Sequence, residues 1–125
     1  MKFFIPINFF VNQRGGELII YNLLIALILF AIIDFITGII RGIIEKTLSS
    51  SRGRDFILKK ITIFLLVAAT YILDMFVLQN HTRDILTMTV LSFYIINEGI
   101  GILENASALG LPIPKTLTEI FKNKL

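Results

Sequence analysis

The chain has 125 residues, of which 55% are hydrophobic, 17% are charged and none is cysteine. A soluble domain is about 45–50% apolar and about 25% charged, so the bias runs toward lipid, and the mean hydropathy of +0.82 agrees. Nine acids and twelve bases cannot clothe a polar exterior, which excludes an ordinary globular enzyme, a disulfide scaffold and a disordered tail. A net charge of +3 and a pI near 9.4 would suggest nucleic acid in a soluble protein. Here the bases flank apolar runs, so the expected partner is a bilayer with anionic headgroups, not nucleic acid.

The first 17 residues begin with Lys2 and an aromatic-rich stretch from Phe3 to Val11. Pro6 and Asn8 interrupt it, and Asn12 to Gly16 offers no small-x-small cleavage pattern, so a segment lying at the outer interface fits better than a signal peptide. The first span, 18–44, is uncharged from Leu18 to Ile33 and continues past Asp34 to Ile40. About 20 residues at ~1.5 Å each cross the hydrocarbon core, so it is long enough. A basic loop, 45–58, contains Ser49-Ser50-Ser51-Arg52-Gly53, a composition that breaks helix and prefers water. The second span, 59–78, carries only Asp74 between Ile61 and Leu78, and the third, 85–109, carries only Glu98 between Ile85 and Leu103. The short connection 79–84 makes these two an antiparallel hairpin. The tail, 110–125, places Leu117, Ile120, Phe121 and Leu125 near one face after Pro114, a short amphipathic helix opened by proline. Three buried core helices are the soluble alternative, but too little polar chain remains to cover them. The expected fold is therefore an all-α membrane protein with three transmembrane helices in a single membrane domain.

Orientation follows from the bases. The first loop and its flanks hold Arg41, Lys46, Arg52, Arg54, Lys59 and Lys60, whereas the second connection holds Arg83 alone. The basic loop belongs in the cytoplasm, which puts the N-terminus outside and the C-terminus inside. Arg52, Arg54, Lys59 and Lys60, with Lys115, Lys122 and Lys124 of the tail, form the expected membrane-surface basic set.

Asp34, Asp74 and Glu98 interrupt the spans. Each costs about 2.5–3.5 kcal/mol at a helix centre unless protonated, paired or hydrated, and three together cost roughly 8–10 kcal/mol. A lone three-helix chain has few places to hide them, which points to an assembly whose helices or water face these side chains. The alternative is neutral acids hydrogen-bonded inside one subunit. Counting residues puts Asp34 about 7 Å and Glu98 about 5 Å to the cytoplasmic side of the midplane, while Asp74 falls on the outer side. Asp34 and Glu98 can thus share a proton or a polar lumen that Asp74 cannot easily join. On the first span Asp34, Gly38, Arg41 and Glu45 share one stripe. Gly38 and Gly42 make a small-xxx-small pattern that lets helices approach closely, and Arg41 is near enough to the boundary to snorkel.

No catalytic constellation stands out. His81, the single histidine, falls in a turn. Phosphate loops, nucleophile motifs and metal-ligand clusters are not discernible. The chain is expected not to be an enzyme and to need neither cofactor nor metal.

The carboxyl third is the most distinctive text: Asn97-Glu98-Gly99-Ile100-Gly101-Ile102-Leu103-Glu104-Asn105, then Gly110-Leu111-Pro112-Ile113-Pro114. Together with Asp34-Phe35-Ile36-Thr37-Gly38 and the Ser49–Gly53 run leading to Lys59-Lys60, it resembles the phage holins that include the clostridial toxin-secretion holins. The resemblance runs from about residue 25 to the tail. It implies a phage or prophage protein of the host cytoplasmic membrane that oligomerises into lesions, releasing an endolysin or a toxin and causing lysis. Residues matching the family motifs are Asp34, Thr37, Gly38, Asn97, Glu98, Glu104, Asn105, Pro112 and Pro114. Gly101 stands where a serine is usual, which favours closer packing. On this expectation polar faces associate first and later meet water, with membrane potential as one trigger, since one charge crossing the field is worth about 2.3 kcal/mol per 100 mV. A small oligomeric ion or proton channel is the rival reading, and an assembly subunit of a larger membrane complex is a third.

Overall fold

The computed structural model describes residues 15–78 and 84–123. The expected interfacial segment up to residue 14, the turn bearing His81 and Arg83, and Lys124 lie outside the described residues. Among the described residues every regular element is helical. Three helices, Leu18–Ile44, Ser50–Leu78 and Ile85–Ala108, are long and apolar enough to cross a membrane.

Helix α1 runs from Gly15 to Ile44. It ends where Lys46 adopts a left-handed conformation, φ 58°. The amides of Lys46 and Thr47 then donate back to the carbonyls of Ile43 (3.3 Å) and Gly42 (2.9 Å), a Schellman closure made without the usual glycine. Helix α2 runs from Ser50 to Ile72. The serine-rich run expected as a helix-breaking turn is instead its start. Ser49 is extended, and its side chain accepts from the Arg52 amide at 3.1 Å, because a serine that is unfavourable inside a helix satisfies an orphan donor at its mouth. The connection from α1 therefore contracts to residues 45–49. Helix α2 continues as a π-helical stretch, Leu73–Leu78.

Helix α3 spans Ile85–Ala108. Gly110, at φ 87°, closes it, with the Leu111 amide donating to the Ala106 carbonyl at 3.1 Å. Pro112 and Pro114 then bar continuation. Helix α4, Lys115–Asn123, follows at once, the Leu117 and Thr118 amides donating to the Pro114 carbonyl at 3.1 and 3.3 Å. It folds back on α3. The Phe121 ring lies against Gly99, where an added Cβ would collide with it, and 6.4 Å from the Phe30 ring.

The three spans meet along α3, with Leu27, Val67 and Leu91 forming the buried apolar centre. Most other apolar side chains face outward, Leu65 at 63% and Phe76 at 68% exposure among them. That pattern inverts the soluble rule and suits a lipid solvent.

Candidate functional site

Seven residues along each helix from that apolar centre lies a charged layer. Leu27 leads to Asp34 on α1, Val67 back to Lys60 on α2, and Leu91 to Glu98 on α3. Seven residues are two turns, so each charged side chain emerges on the face that carried the core residue. The Lys60 ammonium donates to Asp34 Oδ2 at 2.9 Å and to Glu98 Oε2 at 2.8 Å. Glu98 is 3% exposed at its side chain, Lys60 19% and Asp34 20%. One cation thus holds two carboxylates from two other helices.

The next layer toward the α1–α2 connection repeats the interval, Asp34 to Arg41 and Glu98 to Asn105. The Asn105 amide nitrogen donates to Thr37 Oγ1 (3.0 Å), Asp34 Oδ1 (3.2 Å) and the Asp34 carbonyl (3.3 Å). Arg41 Nη1 donates to Asn105 Oδ1 at 3.5 Å, and Arg41 Nε donates to Glu45 Oε1 at 3.2 Å. Gly38 lies under Asn105, whose amide nitrogen is 3.6 Å from where a Cβ at residue 38 would stand. Gly101 faces Asp34 still more closely, since a Cβ there would sit 2.5 Å from Oδ1. Glycines at 38 and 101 let α1 and α3 approach until the polar side chains meet.

Asp74 lies at the opposite end of the bundle. It is 1% exposed, and its Oδ2 accepts from the Thr87 amide (2.8 Å) and hydroxyl (2.6 Å). Thr87 is the third residue of α3, whose own cap residue, Asp84, makes no side-chain cap bond. The Asp74 carboxylate therefore caps α3 from a neighbouring helix, where the helix dipole favours negative charge.

Several expectations change with this geometry. Lys60 is not a membrane-surface base; the face it shares with Val67 turns it inward, while Lys59 beside it is exposed. The acids do not need an assembly to hide them, because one chain supplies a partner for each. Asp34 and Glu98 do come together, through Lys60, and Asp74 stays apart. The stripe Asp34, Gly38, Arg41 faces α3 of the same chain, and Gly42 meets Leu48. Asn97 and Glu104 are exposed and outside the network. Arg52 donates to the Thr47 carbonyl at 3.1 Å; Arg54 and Lys115 are exposed.

A family model described as the bacteriophage holin family matches residues 18–124. The chain belongs to the bacteriophage holin family. An uncharacterized 14.9 kDa protein of Clostridium perfringens is 42% identical over 99 residues, covering 79% of this chain and 74% of the relative. An uncharacterized protein of Halalkalibacterium halodurans is 35% identical over 99 residues, 78% of this chain and 73% of its own length. A probable holin of Bacillus phage phi105 is 35% identical over 88 residues, 70% of this chain and 63% of its own length. No solved structure matches. With three spanning helices, this holin-family chain is a multi-pass protein of the cytoplasmic membrane.

Sequence reasoning missed Lys60 and Thr87 as partners. The signal for Lys60 was its place seven residues before Val67, on the stripe that continues to Asp74. Thr87 gave no comparable signal, because its contact joins the π-helical segment to the start of the next helix.

Proposed function

We propose that this protein assembles with copies of itself in the cytoplasmic membrane and opens lesions through which an endolysin, or a toxin in some settings, leaves the cytoplasm. The observation that carries this reading is the layer Asp34–Lys60–Glu98 within a holin-family chain. It is an ionic girdle stable inside one folded chain, yet built from groups that water solvates well. Separated from one another, these three side chains become the wettable lining of a hole. Helix α2 is the element free to part. It packs on α3 more than on α1, and between α1 and α2 an apolar groove of about 450 Å³ opens past Ile32, Phe35, Ile57, Ile61 and Lys60. The basic connection and the tail lie in the cytoplasm on this reading, so membrane potential holds the inner charges in place until it collapses.

The test is inducible expression in a bacterium that also carries a folded cytoplasmic reporter enzyme and a cell-wall hydrolase. Growth halts abruptly, reporter enzyme enters the medium and the wall is degraded, with the onset shifted in Asp34→Asn and Glu98→Gln. Ion leakage with retention of the reporter would replace the hole by a channel, the reading that buried charges in a span also favour. Absence of any leak would assign the chain to a structural complex.

A further inference from the structure

Helix α3 has a face that the fold does not use. Its inward side meets α1 and α2, and its flank at Gly99 is covered by Phe121 of α4. On the remaining side Phe93 (51% exposed), Asn97 and Glu104 are open. With half-buried Ile100 they recur at intervals of four and three residues, 93, 97, 100 and 104, and Val90, which packs against the apolar centre, marks the edge of the face. That alternation is the seam spacing of paired helices, in which a polar residue at one seam position fixes the register of the partner.

Asn97 is the unusual member. It lies midway along α3, within about one turn of the bilayer midplane, and its carboxamide has no hydrogen-bond partner among the described residues. Thr62 and Thr89, also exposed in the spans, return their hydroxyls to their own backbone at 2.8 Å, but an asparagine's amide is not consumed this way. A carboxamide left open to hydrocarbon is costly. It is also self-complementary, donating through nitrogen and accepting through oxygen. Copies inserted with one topology carry Asn97 at one depth, so a second copy delivers the matching group where it is needed. Glu104, two turns toward the α4 end, falls at headgroup level, where water reaches it.

We propose that the α3 stripe Phe93–Asn97–Glu104 is the face on which two copies of this chain associate in the bilayer, Asn97 of each hydrogen-bonding to Asn97 of the other. This deepens, and rests on, the self-associating lesion former proposed above.

The chain has no cysteine, so single cysteines map the contact directly. In native membranes treated with a lipid-soluble oxidant, Phe93→Cys gives a disulfide-linked dimer, while Leu65→Cys on the lipid face of α2 does not. Adding Asn97→Leu to Phe93→Cys lowers the dimer yield about tenfold, the effect of losing a reciprocal pair of interhelical hydrogen bonds, and Asn97→Gln restores it. Equal cross-linking at 93 and 65, or a Phe93→Cys dimer indifferent to Asn97→Leu, overturns the interface. Reporter release read in the same cells separates the two proposals. Dimers at 93 without release keep the interface and remove the lesion. Release that persists while cross-links move to α2 keeps the lesion and removes the interface.

Discussion

Replacing Lys60 by methionine tests the ionic layer most directly. The thioether keeps the length of the lysine stem and removes the ammonium that spans Asp34 and Glu98 at 2.9 and 2.8 Å. Deleting one partner of a buried ion pair costs about 3–5 kcal/mol, because the surviving charge is stranded. Glu98, 3% exposed, is left without a bridging cation, whereas Asp34 retains the Asn105 amide at 3.2 Å. That residual bond places Lys60→Met near the lower bound, at about 3 kcal/mol. Unfolding in mixed micelles, followed by helical signal against denaturing detergent, measures it. Lys59→Met, one position along on the exposed face, is the control and shifts stability by no more than about 0.5 kcal/mol. Combining Lys60→Met with Asp34→Asn and Glu98→Gln removes every charge and recovers about half of the loss, since neutral groups no longer strand one another. If Lys60→Met and Lys59→Met proved equally harmless, the charged layer would not be holding the helices together.

Two further positions, Asp74 and Gly101, test the packing of α3, with Gly53 as a control. Asp74→Ala removes the borrowed cap of α3 and costs about 1–2 kcal/mol, whereas Asp74→Asn, which still offers an oxygen to the Thr87 amide, recovers much of it; hydrogen exchange at the first turn of α3 reads the difference. Gly101→Ala pushes a methyl to 2.5 Å from Asp34 Oδ1 and destabilises by about 1–3 kcal/mol, measured in the same micelles. The corresponding change at Gly53, where nothing lies within 4 Å of an added Cβ, is neutral or stabilising.

The spans were legible because each is a long run of apolar residues whose few charges stand out, and hydropathy reports that whatever the neighbours are. The tail helix was legible from Pro114 and the spacing of Leu117, Ile120 and Phe121. Which charges meet was harder to read. Lys60 sits beside Lys59 at the edge of an apolar run and looks like one of a pair of surface bases; only the packing of Val67 against Leu27 and Leu91 turns it inward. Ser49 to Gly53 looked like a helix breaker because serine and glycine disfavour helix interiors, yet serine at a boundary starts a helix. Asp74 looked like a stranded charge, because its partner lies on the next helix and the charge itself sits in a stretch of π-helix that no propensity marks. Depth counting did separate Asp74 from Asp34 and Glu98, since it needs only the rise per residue.

The seven-residue spacing of the layers restricts how the bundle can move. Sliding one helix past its neighbours by a full interval, about 10 Å, would carry Lys60 level with Leu27 and Leu91, stranding an ammonium among hydrocarbon side chains and leaving both carboxylates without it. Smaller slips break the 2.8 and 2.9 Å contacts and form nothing in return. Piston motion is thereby pinned; a sideways displacement breaks the same two contacts but keeps the charged side chains at one height, so rods that part around water leave a level charged band around the circumference.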